Sequence, residues 1–215
     1  MAAEQPPVDV EFFLDPVCPW CWITSRWVTH VQAETQYTVG WRTISLFVLN
    51  EDKEPSEEMR QAHLGGLRAL RVLDQVRADH GNDAVAAVYT ELGTRIHVDQ
   101  RRGELVADPV AFIAEALEAA GLDPQLATHA LDESHDAALR AEVETALSRT
   151  GPNVGTPILT FAPGQGEREG SFFGPVISKA PRGAEAVELW RAVETLATSG
   201  VAELKRSLRA KPDFS

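Results

Sequence analysis

The chain has 215 residues, 44% of them hydrophobic, a formal net charge of −12 and two cysteines. That length and apolar content predict one large domain, or one domain carrying an insertion, with a substantial core. The acidity argues against nucleic acid or an anionic membrane surface as the main partner, since a phosphate backbone is gripped by Lys and Arg; two cysteines are too few for a secreted disulfide scaffold, and no run of ~18 apolar residues predicts a membrane span.

The opening stretch "MAAEQPPVDVEFFLDP" has no basic start followed by an apolar run. No signal peptide is expected, and the setting is read as cytoplasmic, where thiols stay reduced. Residues 8–14 ("VDVEFFL") alternate, are aromatic-rich and end at Asp15-Pro16, which predicts a strand. From about Cys18 to Glu34, Ile23, Trp27 and Val31 fall at i, i+4 and i+8 on one helix face. Residues 37–46 ("YTVGWRTISL") read as a second strand.

The next hundred residues are almost wholly helical in pattern. Val85, Val88, Tyr89, Leu92 and Ile96 form one apolar stripe, and Leu139, Val143 and Leu147 another that ends near Gly151. Asp108-Pro109 and Asp123-Pro124 each set an N-cap residue before a first-turn proline. Strand patterns return at residues 156–162 ("TPILTFA") and 171–177 ("SFFGPVI"), joined by "PGQGEREG". A closing helix carries Val187, Trp190, Val193 and Ala197. The order β-α-β, helical block, β-β-α is that of an α/β thioredoxin-like fold with a large helical insertion. Residues 1–51 and 151–215 would form the thioredoxin-like domain and 52–150 the inserted helical domain. That insertion is expected to form one wall of a substrate cleft, because ligands favour junctions between subdomains.

Both thiols lie in "DPVCPWCWITSRW", with only Pro19 and Trp20 between Cys18 and Cys21. A thiolate is the reactive form of cysteine, and a thiol of pKa near ~8.5 is only ~3% ionised at pH 7. A helix N-terminus offers unpaired N–H groups and about half a positive charge. Cys18, at that end, is therefore the expected low-pKa, accessible nucleophile. Cys21, one turn later, is the expected buried thiol that resolves a mixed disulfide formed on Cys18. Pro19 removes an N–H that the first turn cannot pair, and Trp20 sets a flat surface beside the sulfur.

Two plainer readings compete. A structural disulfide closing four residues would restrict the unfolded chain by only about 2 kcal/mol. A zinc site needs two further ligands at suitable spacing, and the six histidines are scattered, so no metal is expected. A CxxC directly after a strand and opening an amphipathic helix favours redox chemistry.

Thr156-Pro157 precedes the third strand. In thioredoxin-type proteins a cis proline occupies this place and faces the CxxC, leaving the preceding backbone open to a partner. An ordinary trans proline at a strand start is the plainer alternative.

The chain resembles the DsbA-like family of thioredoxin-fold oxidoreductases over nearly its whole length. More closely, "DPVCPWCWITSRW", "SLFVLNE", "RIH", "VGTPIL" and "FFGPVISKAPRGAEA" look like the actinobacterial mycothiol-dependent nitroreductase group. This resemblance implies a cytoplasmic enzyme, homodimeric, that takes electrons from mycothiol, a low-molecular-weight thiol. It implies reduction of disulfides, S-mycothiolated species or nitro-aromatic compounds. No nucleotide-binding glycine motif is visible, so neither flavin nor nicotinamide is expected.

Further candidates are Asn50, just past the second strand on the side where a ligand would approach the CxxC, and His97, on the helical wall of the cleft. Trp22 and Trp27 are expected in the core and Trp20 at the surface. Asp15 is a candidate for tuning Cys18, and Lys179 and Arg182 for attracting an acidic thiol or partner. Two other functions remain open at this level: a cytoplasmic protein disulfide isomerase or oxidase, and a non-catalytic binding module retaining the fold.

Overall fold

The computed structural model describes residues 7–214. The first six residues of the stretch on which the signal-peptide reading rests, and with them both extreme ends of the expected thioredoxin-like segments, lie outside the described residues. Among the described residues, no helix is long and apolar enough to cross a membrane.

The chain runs β1 (Val10–Leu14), α1 (Pro19–Glu34) and β2 (Val39–Thr43) into a helical stretch. That stretch comprises α2 (Leu46–Leu49), α3 (Glu57–His80), α4 (Asn82–Gly93), a π-turn (Thr94–Val98), α5 (Arg102–Ala107), α6 (Pro109–Ala119), two 3-10 segments (Pro124–Leu131, Glu133–His135) and α7 (Asp136–Thr150). It then returns through β3 (Ile158–Phe161) and β4 (Gly170–Phe173) to α8 (Gly183–Ala197). The sheet order is β2-β1-β3-β4. β1 and β2 are parallel, with Phe12 opposite Trp41; β3 is antiparallel to β1, and β4 to β3. This is the thioredoxin-type arrangement that the element order predicts.

Strand alternation divides the core. Val10, Phe12 and Leu14 face one side with Leu159 and Phe161, while Phe13 and Ile158 face the other with Val143 and Ala146 of α7. On the first side Trp190 of α8 packs against Trp27 at 5.3 Å, Phe161 at 5.2 Å and Tyr37 at 5.3 Å between ring centres. The Trp27 indole N–H is satisfied by the Ala186 carbonyl at 2.9 Å. The α4 stripe is buried as expected, and so are Trp22 and Trp27. The Asp108 and Asp123 side chains accept from Ala111 N and Gln125 N, as caps should.

Two expected strand ends shift, and the placement of Asn50 shifts with the first. The second strand ends at Thr43, because Leu46 N donates to the buried Asp15 carboxylate at 2.7 Å and the chain turns into α2 behind its Ser45 cap. Asn50 therefore caps a short helix, its amide donating to Leu46 O at 2.7 Å, instead of following the strand directly. The fourth strand stops at Phe173, where Gly174 takes φ +103° and the Gly174-Pro175 bond is cis.

Candidate active site

The site begins where β1 stops. Asp15 is fully buried, and one carboxylate oxygen accepts from Val17 N at 2.9 Å while the other takes Leu46 N. Its backbone carbonyl accepts from Cys18 N at 3.1 Å. These bonds fold the Asp15-Pro16-Val17 turn and deliver Cys18 to the N-cap of α1. There its sulfur does what a capping Ser or Asp oxygen does, accepting from Cys21 N at 3.4 Å. Pro19 is the first residue of the helix, and no carboxylate stands in the first turn to repel a thiolate.

The other half of the site arrives from residue 156. Thr156 Oγ1 donates to Cys18 Sγ at 3.0 Å, and the Thr156 carbonyl lies 4.0 Å from the same sulfur. The Thr156-Pro157 bond is cis. Both cysteines are free, and the Cys21 sulfur sits 4.0 Å from the Phe13 carbonyl.

The two thiols are driven apart electrostatically. Burial opposes ionisation of Cys18, but hydrogen bonds from Cys21 and Thr156 outweigh it and hold its pKa below the ordinary thiol value, against a smaller opposing push from Asp15. Burial, then the neighbouring Cys18, push Cys21 well up. Asp15 itself is raised to about 6 by burial, which its two backbone hydrogen bonds only partly offset. Cys18 is less open than expected: it is 4% exposed, against 0% for Cys21. Their reactivity difference thus rests on ionisation far more than on access.

The other expected residues are placed as follows. Trp20 and Pro19 are half-buried at the helix start, and the Arg209 guanidinium lies 5.9 Å from the Trp20 ring centre. His97 ends the π-turn, buried, with Nε2 2.8 Å from the Pro16 carbonyl and its ring stacked on Trp22 at 6.0 Å. Burial lowers its pKa to about 4, only partly offset by Pro16. At neutral pH the ring is therefore uncharged, and the carbonyl requires the proton on Nε2. The Phe214 ring lies 5.6 Å from the His97 ring centre, tilted against it. Lys179 pairs with Asp213 in the C-terminal segment at 3.0 Å, and Arg182 precedes α8.

Sequence reasoning missed several neighbours. Helices α3 and α4 press their backbones against the motif at two glycines. A Cβ on Gly66 would stand 2.8 Å from Val17 Cγ2 and 3.0 Å from Asp15 Oδ1, and one on Gly93 would run into the Trp22 ring. Arg26 lies 4.2 Å over the opposite ring system of Trp22 as a cation–π partner. Tyr89, read only as core, buries a hydroxyl that has no hydrogen-bond partner among the described residues. "LGGL" at residues 64–67 was the available sign of the α3 contact; nothing local marks the others. Surface hollows of 410 and 490 Å³ open elsewhere, beside Thr29 and Thr90 and beside Arg42 and Arg149, and neither borders the cysteines.

A CxxC capping the first helix, opposed by a cis-Pro loop and flanked by the helices of the long helical stretch, defines a DsbA-like protein of the thioredoxin fold. The solved structures agree. A candidate protein disulfide isomerase from Nitrosomonas europaea matches with TM-score 0.58 at 16% identity, over 89% of this chain and 98% of its own. A probable DsbA oxidoreductase, SCO1869, from Streptomyces coelicolor matches with TM-score 0.57 at 17% identity, over 92% of each chain. The chain belongs to the Rv2466c-like family, described as mycothiol-dependent nitroreductase Rv2466c, whose model matches residues 17–206. A Mycobacterium tuberculosis relative, the uncharacterized protein Rv2286c, is 31% identical over 196 residues, covering 87% of this chain and 76% of its own length.

Proposed function

We propose that this protein is a cytoplasmic thiol–disulfide oxidoreductase that draws electrons from mycothiol through Cys18 and Cys21. The observation that carries the reading is the pair of donors, Thr156 Oγ1 and Cys21 N, aimed at one sulfur. They stabilise a thiolate at Cys18 and leave Cys21 protonated until needed. The family description supports mycothiol as the donor.

In the proposed cycle the Cys18 thiolate attacks a substrate disulfide, forming a mixed disulfide and releasing one substrate thiolate. Cys21 loses its proton and attacks the Cys18 sulfur, forming the Cys18–Cys21 disulfide and releasing the second thiolate. One mycothiol thiolate then attacks Cys18 Sγ and frees Cys21. A second mycothiol attacks that adduct, restoring Cys18 and leaving as oxidised mycothiol. Two electrons pass from two mycothiols to one disulfide. For a nitro-aromatic compound, the dithiol would supply two electrons and two protons, giving the nitroso compound and water without flavin or nicotinamide.

Trp20 and Pro19 are assigned to the surface that receives the substrate, with Thr156 and Pro157 opposite. His97 and Asn50 hold the flanking turns, through Pro16 and Leu46 respectively. Residues 52–150 are assigned as an inserted unit walling the cleft, between thioredoxin-like segments 1–51 and 151–215, and the working form as a homodimer.

Intact-mass measurement of Cys21→Ser after incubation with oxidised mycothiol tests the scheme. An adduct on Cys18 is expected, with turnover in Cys18→Ser falling at least ~10³-fold, as loss of a nucleophile does. Full activity in Cys18→Ser, or an adduct only on residue 21 of Cys18→Ser, would overturn it. Faster reduction of the oxidised protein by glutathione than by mycothiol would reassign the donor.

A further inference from the structure

Far along the chain from the CxxC, the fold assembles three metal-binding side chains in a His-x2-Asp-x2-His spacing. His129 lies in the first 3-10 segment, Asp132 links the two segments, and His135 ends the second. His135 Nε2 lies 3.2 Å from His129 Nδ1, and the Asp132 Oδ2 atom is 3.9 Å from the first histidine's Nδ1 and 4.0 Å from the second's Nε2. One donor atom from each of the three falls within 4.8 Å of the others.

The hydrogen bonds of the cluster orient its donor atoms. His135 Nδ1 is 2.8 Å from Asp74 Oδ2 of α3. A carboxylate there requires Nδ1 to carry the proton, so the lone pair of the neutral ring is at Nε2, turned toward His129. This carboxylate–imidazole pairing is the arrangement that orients and strengthens a histidine bound to zinc. Asp132 divides its labour: Oδ1 accepts from Ser134 N at 2.9 Å, and Oδ2 is the oxygen turned toward the rings. Between the rings His129 Nδ1–H donates to His135 Nε2; a cation would displace that proton and take both nitrogens and Asp132 Oδ2 as donors.

The spacing fits. Metal–nitrogen bonds of about 2.0–2.1 Å in a tetrahedral site place two nitrogens roughly 3.3 Å apart. Asp132, 46% exposed, has to close by roughly 0.6–0.7 Å to reach that spacing, whereas His135 is 11% exposed and held. The frame is fixed from α3 as well: Arg71 grips Asp136 through two bonds of 2.7 and 2.8 Å and donates to the Ala130 carbonyl at 3.2 Å. Solvent reaches the site from the Asp132 side, leaving a coordination position for water.

We propose that His129, Asp132 and His135 form a binding site for a divalent transition-metal ion of the zinc class, with Asp74 as its positioning carboxylate. The ion would clasp residues 124–136 onto α3. Two imidazoles and a carboxylate suit Zn²⁺, Co²⁺ or Ni²⁺ and not Ca²⁺ or Mg²⁺, which take oxygen donors. The six histidines look scattered in the sequence; the fold gathers two of them.

The test uses the full chain with Cys18 and Cys21 oxidised to the disulfide, so that thiolates cannot bind metal. Calorimetric titration with Zn²⁺ is expected to show one site per chain. His129→Ala and His135→Ala are expected to weaken it at least tenfold. Asp74→Asn, which keeps every ligand, is expected to weaken it about 10- to 100-fold. His80→Ala, on the exposed end of α3, should leave it unchanged. Co²⁺ added to the wild type should give tetrahedral visible absorption without a thiolate charge-transfer band, a readout independent of how the variants fold. No saturable binding, wild-type affinity in both histidine variants, or a thiolate band would overturn the proposal.

Discussion

The CxxC is built by two regions that do different work. From the sheet side come the groups that, among the described residues, hydrogen-bond sulfur: the α1 N-terminus, the Thr156 hydroxyl and carbonyl, and the Phe13 carbonyl. From the helical stretch come shape and one relay. Gly66 and Gly93 let α3 and α4 lie against the Asp15–Val17 turn and Trp22, and His97 ties the π-turn to Pro16. Among the described residues, no polar group of residues 52–150 hydrogen-bonds either sulfur. Ionisation of the thiols is therefore a property of the sheet side, and the fit around them a property of the helices.

The sharpest way to break that comparison is to add one carbon on each side. Gly93→Ala drives a Cβ into the Trp22 ring, which is buried and also holds His97 and Arg26, so the ring cannot turn away freely. We expect a loss of about 3 kcal/mol, at the upper end for overpacking, read from the urea midpoint. Gly40→Ala in β2 meets Val8 Cγ2 at 3.1 Å, a side chain near the edge of the sheet, and should cost under about 1 kcal/mol. Equal losses would mean that the helices pack no more tightly on the motif than the sheet does.

Acidity separates the regions next. His97 has a folded pKa of about 4, below its ordinary 6.5, so the unfolded chain binds the extra proton and stability falls as pH drops from about 6.5 to 4. Asp15 has a folded pKa of about 6, above 3.8, so the native state binds the extra proton and stability rises as pH drops from about 6 to 4. Each is of order 3 kcal/mol at ~1.4 kcal/mol per pKa unit, with opposite signs. Their contributions should largely cancel in the wild type. His97→Gln should expose the Asp15 slope, with stability rising on acidification. Asp15→Asn should expose the His97 slope, with stability falling, on top of about 1–3 kcal/mol lost because an amide cannot accept from both Val17 N and Leu46 N. Parallel pH profiles in the two variants would refute this assignment of signs.

What could be read from the sequence follows the same division. Cys18 and Cys21 are adjacent in sequence, and the strand before them and the helix after them are local patterns, so the motif's placement at the start of α1 was legible. Thr156 was legible only as a position: the order of elements predicts that a strand start lies opposite the CxxC, while its hydroxyl bond to sulfur is a contact across 138 residues. The helical contacts left almost no trace. Gly93 and Trp22 meet because two helices cross there, and the meeting of His129 with His135 and Asp74 depends on how two 3-10 turns sit on α3. Such contacts depend on tertiary packing, which has no period to read. The α2 turn was missed for a related reason: "TISL" reads as the end of a strand until the distant Asp15 takes the Leu46 N–H.

The smallest expected effect is also the most selective. Thr156→Val keeps the shape of the side chain and removes the hydroxyl that donates to Cys18 Sγ at 3.0 Å. A hydrogen bond to a charged group is worth about 1.5–3 kcal/mol, and here Cys21 N remains to share the negative charge. We expect the Cys18 pKa to rise, because one of the donors that hold it down is gone. Iodoacetamide alkylation of the reduced protein across pH measures it. The midpoint of that profile reports ionisation, and the plateau rate reports access to a sulfur that is only 4% exposed. On the sheet side the midpoint should move and the plateau hold. His97→Gln, on the helical side, should do the reverse, because it loosens the Pro16 carbonyl without touching sulfur. If His97→Gln moves the midpoint as far as Thr156→Val does, the helical stretch sets the thiol's ionisation as well as its fit, and the division between the two regions fails.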